Sequence, residues 1–231
     1  LKGKVFSVLA RSSGIGIQNR EIQADPQVWD ACRQCPEYSS CYNFSMARMG
    51  FEQRADENPL LQRIRDDFRD ITSRYPFSKV LEIGCGPGLD VEWFAQHFPE
   101  SSIKGVDISP EMVNLARKRI EKAQLSNAEL LVLNENELLD QFGQSSFDMI
   151  YVYFGALNTV ADLSKSAETL YKILEPGGHM VLTFVNKWYL REMIVQALKL
   201  NPGAAFARLK KEWGGYSTSR HLPSRCYSPS E

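Results

Sequence analysis

Short apolar runs separated by amphipathic stretches set the pattern of this chain. Val80-Leu-Glu-Ile83, Ile103-Lys-Gly-Val-Asp-Ile108, Glu129-Leu-Leu-Val-Leu133, Ser146-Phe-Asp-Met-Ile-Tyr-Val-Tyr-Phe154 and His179-Met-Val-Leu-Thr-Phe-Val185 read as five strands, the first of them apolar enough for burial on both faces. Between them apolar residues return at helical spacing: Leu89, Trp93 and Phe94; Met112, Leu115 and Ala116, with Arg119 on the same face; Leu163, Ala167, Leu170, Tyr171 and Leu174. A further amphipathic helix, with Leu61, Ile64, Phe68 and Ile71, precedes the first strand; Asn58 caps it, Pro59 opens it, and it ends before Tyr75-Pro76. Ser109-Pro110-Glu111 marks another helix start, and Glu175-Pro-Gly-Gly178 a turn into the fifth strand. Single helices between single strands predict an α/β fold with a parallel sheet. Residues 188–213 read as two further helices broken at Asn201-Pro202-Gly203.

The chemistry gathers after the first strand. Gly84, Gly86 and Gly88 alternate in Leu81-Glu-Ile-Gly-Cys-Gly-Pro-Gly88, where the missing side chains let a ligand approach the backbone closely. Glu82 near the end of that strand can accept a hydrogen bond from a cationic or hydroxylated group. About 20 residues on, Asp107 closes the second strand where a ribose diol is usually held. A Gly-rich strand-to-helix turn is shared by nicotinamide, flavin and nucleoside binders, but the spacing here is G-x-G-x-G rather than G-x-G-x-x-G.

Together the two strands resemble the class I S-adenosylmethionine-dependent methyltransferases, in particular the small-molecule and lipid group, with Leu-Glu-Ile-Gly-Cys-Gly-Pro-Gly as motif I and Gly105-Val-Asp-Ile-Ser-Pro-Glu-Met112 as motif II. Phe147-Asp148, Phe154-Gly-Ala-Leu-Asn158 and the Pro-Gly-Gly turn extend the resemblance from about Leu60 to Val185. It implies a doubly wound, mostly parallel Rossmann-like sheet in the order 3-2-1-4-5 with helices on both faces. It further implies an enzyme binding S-adenosylmethionine through Glu82, Gly84, Cys85, Gly86, Gly88, Asp107, Ile108, Met112, Asn134, Glu135 and Tyr153, with a helix before the first strand helping to close the pocket. Asn134 stands where the family usually has an Asp for the adenine amine; it keeps a carbonyl acceptor without the charge. Methyl transfer by in-line displacement needs no fixed catalytic residue, and Tyr153 and Asn158 after the fourth strand are the candidates if a base assists. The implied acceptor is a small or lipid-like molecule. The reading from another class is a non-catalytic S-adenosylmethionine-binding protein whose N-terminal segment is an interaction or metal-binding module.

Residues 1–50 resemble no family as a whole, and the domain is expected over 51–231. Leu1–Gly16 has the look of a short-chain dehydrogenase opening, but Leu9 and Ala10 replace the expected Thr and Gly, and Asp25-Pro26 followed by a cysteine cluster replaces the second strand such an enzyme needs. Cys32, Cys35 and Cys41 form a C-x2-C-x5-C run that suits zinc or an iron–sulfur cluster but lacks a fourth ligand; reduced thiols are the other reading. A formal net charge of -1 gives no general attraction to nucleic acid or to an anionic membrane, and no apolar run is long enough to span a membrane. A cytoplasmic location is the default. The family usually closes its sheet with a strand-six/strand-seven hairpin, and nothing after Phe184 supplies two more strands. The sequence is therefore expected to be a fragment truncated at its C-terminus, with a Ser228-Pro229 helix start at its end, an exposed edge at strand five, and poor solubility.

Overall fold

The computed structural model describes residues 5–9 as backbone and residues 59–160, 162–210 and 224–228 in full. One all-parallel sheet contains β1 (Val5–Leu9), β2 (Lys79–Ile83), β3 (Ser102–Asp107), β4 (Ala128–Val132), β5 (Phe147–Val152) and β6 (Leu174–Thr183). Their order is β1-β6-β5-β2-β3-β4, so the five strands read from the sequence stand as expected, 3-2-1-4-5. Helices α1 (Pro59–Ser73), α2 (Leu89–His97), α3 (Pro110–Lys122), α4 (Leu138–Phe142), α5 (Leu163–Ile173), α6 (Leu190–Leu198) and α7 (Pro202–Ala205) follow in chain order.

The period of two along each strand divides the core into two layers. Val80, Met149 and Tyr151 face α1, α2 and α3, meeting Phe68, Phe94, Val113 and Ala116. Leu81, Ile83, Ile150 and Val152 face the other way, onto Leu138 of α4 and Leu170 and Ile173 of α5. Glu82 shares the first face with Val80, which places a carboxylate inside an apolar layer; this governs its chemistry below.

One expectation is corrected. The edge of the fifth predicted strand, β6, is not exposed: β1 pairs with it in parallel from Val5↔His179 to Leu9↔Thr183. The sequence reading sought strands only after Phe184, whereas a run of the supposed N-terminal appendage takes this edge. The aggregation argument built on an open β6 edge falls with it. β6 also begins at Leu174, ahead of the Pro-Gly-Gly turn, because Phe147 pairs with Leu174 and Met149 with His179, so the extra residues loop out in between. Beyond β6, Asn186 and Tyr227 form a parallel bridge. The Ser228-Pro229 helix start falls largely outside the described residues.

Candidate functional site

β2 and β5 are neighbours in the sheet, but their connections leave in opposite directions, β2 toward β3 and β5 toward β6. In an open α/β sheet such a switch point makes a crevice beyond the carboxyl ends of the strands. The loop after β2 enters this crevice, folded by Gly84 and Cys85 amides that donate to the Val106 carbonyl at 2.8 and 3.0 Å. The glycines have different neighbours. A Cβ on Gly88 (φ +79°) would lie 2.8 Å from the Ala116 Cβ of α3, so Gly88 lets α2 and α3 pack closely. A Cβ on Gly86 (φ +51°) would meet nothing within 4 Å. Gly86 therefore presents bare backbone to open space, the feature a closely approaching ligand requires.

Asp107 at the end of β3 faces this loop. Its two carboxylate oxygens accept from the Gly86 and Ser109 amides, each at 2.9 Å. Burial pushes the carboxyl up, while these amide bonds hold it down. Each oxygen keeps acceptor capacity for a ligand hydroxyl. Ser109 Oγ accepts from the Met112 amide and starts α3. Ile108 is exposed and Met112 buried, giving one apolar surface at the mouth and one beneath it. Asn134 Oδ1 accepts from the Asn136 amide, so the departure noted in the sequence forms a local turn after β4 beside half-buried Glu135.

Glu82 is buried and accepts from the Tyr151 hydroxyl at 3.0 Å. Burial first, and then the neighbouring Asp90, push its carboxyl well above the ordinary value. Asp90, on the first turn of α2, has the contrasting surroundings: Arg65 and Arg69 of α1 both pair with it. Burial raises this carboxyl too, but two guanidiniums oppose the rise. Both carboxyls are thus raised, Glu82 well above its ordinary value and Asp90 less so. Arg69 also donates to the Leu89 carbonyl at 3.1 Å, and the Arg65 guanidinium lies 4.7 Å over the Phe154 ring. α1 is thereby strapped across the start of α2.

Tyr153 and Asn158, the candidate bases, are both engaged. The Tyr153 hydroxyl donates to the Phe68 carbonyl at 3.0 Å and lies 2.5 Å from Thr72 Oγ1, fastening α1 to the end of β5. Asn158 Nδ2 donates to the Arg225 carbonyl at 2.5 Å, and its Oδ1 accepts from the Val185 amide at 3.0 Å, which clasps residues 224–228 to the end of β6. Cys85 is buried, with its thiol pushed well up by desolvation. Sequence reasoning missed Arg65, Arg69, Asp90 and Phe154. The first three had a signal, arginines four apart on a helix and an acid just after the glycine loop. Phe154 stood in the Phe-Gly-Ala-Leu-Asn segment of the resemblance without a role of its own; its φ of +54° belongs to the turn that leaves β5. Cys32, Cys35 and Cys41 lie outside the described residues; among the described ones no group of three or more His, Cys, Asp or Glu side chains is placed to hold a metal.

Residues 77–220, more than half of the chain, match the family model of a methyltransferase domain. A demethylmenaquinone methyltransferase of Listeria welshimeri is 33% identical over 104 residues, which cover 45% of this chain and 43% of that one. A trans-aconitate 2-methyltransferase of Variovorax paradoxus is 29% identical over 135 residues, covering 55% and 49%. The chain thus spans at most about half the length of these relatives. The N-methyltransferase NodS of Bradyrhizobium japonicum, solved with S-adenosyl-L-homocysteine, is 24% identical with a TM-score of 0.49, covering 58% of this chain and 66% of that one. With the family model spanning β2 to β6 and the sheet in the order that the motifs imply, this chain belongs to the methyltransferase-domain family, of the class I S-adenosylmethionine-dependent type.

Proposed function

We propose that this chain transfers a methyl group from S-adenosylmethionine to a small-molecule or lipid-like acceptor. The observation that carries the reading is the open space over Gly86 beside the Asp107 carboxylate, at the carboxyl ends of β2 and β3. When bound, the cofactor supplies an electrophilic methyl group on a sulfonium. In this reading Gly84, Cys85, Gly86 and Gly88 form the cradle, Asp107 accepts from the ribose hydroxyls, and Ile108 and Met112 give the base an apolar wall. Asn134 and Glu135 stand where the adenine amine would be met. Glu82, tied to Tyr151, supports the strand end from behind, and Tyr153 holds α1 across the loop. The acceptor needs alignment more than a base, since positioning alone is worth up to ~7–11 kcal/mol in favourable cases.

Calorimetry with S-adenosylhomocysteine tests the cofactor half. Asp107→Ala should weaken binding by ~1–3 kcal/mol, and Asp107→Asn, which keeps one acceptor, by less. Equal affinity in all three proteins would sink the assignment. Incubation with labelled S-adenosylmethionine and a metabolite and lipid extract tests transfer. One observation favours the reading of a binder without turnover: Tyr153 and Asn158, the two candidates to assist the chemistry, are committed to structural bonds. Tight cofactor binding with no label moving to any metabolite, lipid or protein would decide for it.

A further inference from the structure

Helix α6 is turned inside out. A helix on a globular surface ordinarily buries its apolar stripe, yet none of the residues of α6 is buried. Leu190, Ile194 and Leu198, spaced i, i+4 and i+8, are 63%, 59% and 79% exposed. The side facing the protein carries Glu192, Met193 and Gln196, all half-buried. This orientation is held in place. Arg208, itself buried, donates to the Asn186 carbonyl at 3.0 Å, reaches Glu192 at 3.5 Å, and stacks 4.8 Å over the Tyr189 ring.

The same surface continues past the helix. Leu200 is 89% exposed and sits at φ +54°, where glycine is the cheap residue and a branched side chain is strained. Trp188, Phe206 and Leu209 are exposed alongside. The exposed charges within residues 188–210 are Arg191, Lys199 and Lys210, all basic; the acid of this segment, Glu192, is half-buried against Arg208.

We propose that this face, α6 with Leu200 and Phe206, docks on an anionic lipid surface. Apolar side chains projecting from a fixed helix, a Trp at the rim and an exclusively basic charge set are what an interfacial helix presents to lipid headgroups. A second copy of the chain fits worse, because a two-fold contact of the patch with itself would set these like charges near one another. The patch follows directly on β6 and so lies at the same end of the sheet as the glycine loop. The inference rests on the surface and does not require the methyl-transfer reading.

The test is co-sedimentation of the full chain with vesicles of phosphatidylcholine and phosphatidylglycerol at about two to one, against phosphatidylcholine alone. The protein should partition onto the anionic vesicles, less so as salt rises. Ile194→Glu/Leu198→Glu should lower partitioning at least ~10-fold with an unchanged circular dichroism spectrum, since both side chains project to solvent. Arg191→Ser/Lys199→Ser, which leaves the apolar face intact, should lower it roughly tenfold on anionic vesicles and flatten the salt dependence. No binding to anionic vesicles, or binding that neither variant alters, overturns the proposal. So does a dimer in sedimentation velocity that the first variant splits without change in vesicle binding.

Discussion

Replacing Glu82 by Gln should stabilise the protein at alkaline pH and remove part of its pH dependence. Glu82 is 3% exposed on the α1–α2 face of β2, and the charged groups that face it are Asp90, Arg65 and Arg69, with the Tyr151 hydroxyl as its bonding partner. Burial and the Asp90 charge raise its carboxyl well above 4.5, against the smaller pull of Tyr151 and the two arginines. The native state therefore holds a proton that the unfolded chain releases near its ordinary value. Across the window from that value up to the folded one, stability falls as pH rises, by up to ~1.4 kcal/mol per pH unit for one proton. Above the folded value the full penalty remains; below the unfolded value it vanishes. Glutamine carries no proton to lose, has nearly the same shape, and its carbonyl can accept from Tyr151 as the carboxyl does. Wild type and Glu82→Gln should thus be within ~1 kcal/mol of each other near the unfolded carboxyl value and diverge steadily above it. Urea unfolding of both proteins at a series of pH values measures this. Asp90 contributes a slope of the same sign to each, and because the two carboxyls interact, the difference between the curves reports Glu82 together with its coupling to Asp90. Parallel curves, or a wild type that gains on the variant as pH rises, would refute the raised, buried carboxyl.

Asp90→Ala leaves two arginines, each 13% exposed in its side chain, without their shared carboxylate, and should cost ~3 kcal/mol in urea unfolding; a double-mutant cycle with Arg65→Ala should be strongly non-additive. Asn158→Ala removes the bonds to Arg225 and Val185 and should cost ~1–3 kcal/mol, with faster hydrogen exchange at the Arg225 and Tyr227 amides as its local signature. Cys226, buried and with its thiol pushed up to about 11, should react far more slowly with iodoacetamide at neutral pH than it does in urea-unfolded protein, as read by mass spectrometry of the peptide.

The parts of the fold that could be read in advance were those in which local pattern and long-range partner coincide. A strand in a parallel α/β unit has its helix next to it in sequence, so Val80–Ile83 followed by the glycine turn and Leu89–Phe94 announces both the element and its neighbour. The Ser109-Pro110 start of α3 and the break between α6 and α7 at Asn201-Pro202 were equally plain, because capping is a local contact: Ser109 Oγ accepts from Met112 and Asn201 Oδ1 from Ala204. β1 could not be read in this way. Val5-Phe-Ser-Val-Leu9 is a generic apolar strand, and nothing in it specifies that its partner lies more than 170 residues away at His179–Thr183. The short α4 escaped for a related reason, since five residues carry too little periodicity to register.

At the site, sequence reasoning located the loop and the acids but misjudged which bonds they were free to make. Position along a strand says that Glu82 and Asp107 both stand near carboxyl ends; it does not say which face each side chain takes or how much protein covers it. Glu82 falls in phase with Val80, Met149 and Tyr151, so it is drawn into the apolar layer and meets a phenol. Asp107 instead turns to the glycine loop, where backbone amides favour its charge. The same holds for Tyr153 and Asn158: a polar residue just past β5 suggests chemistry until α1 and residues 224–228, remote in sequence, are seen to occupy its hydrogen bonds. The consequence for mechanism is specific. With these two side chains holding α1 and the segment around Arg225 in place, neither is free to act as a base on the acceptor. The pH dependence of transfer should then follow the acceptor's own ionisation rather than that of any residue at the end of β5.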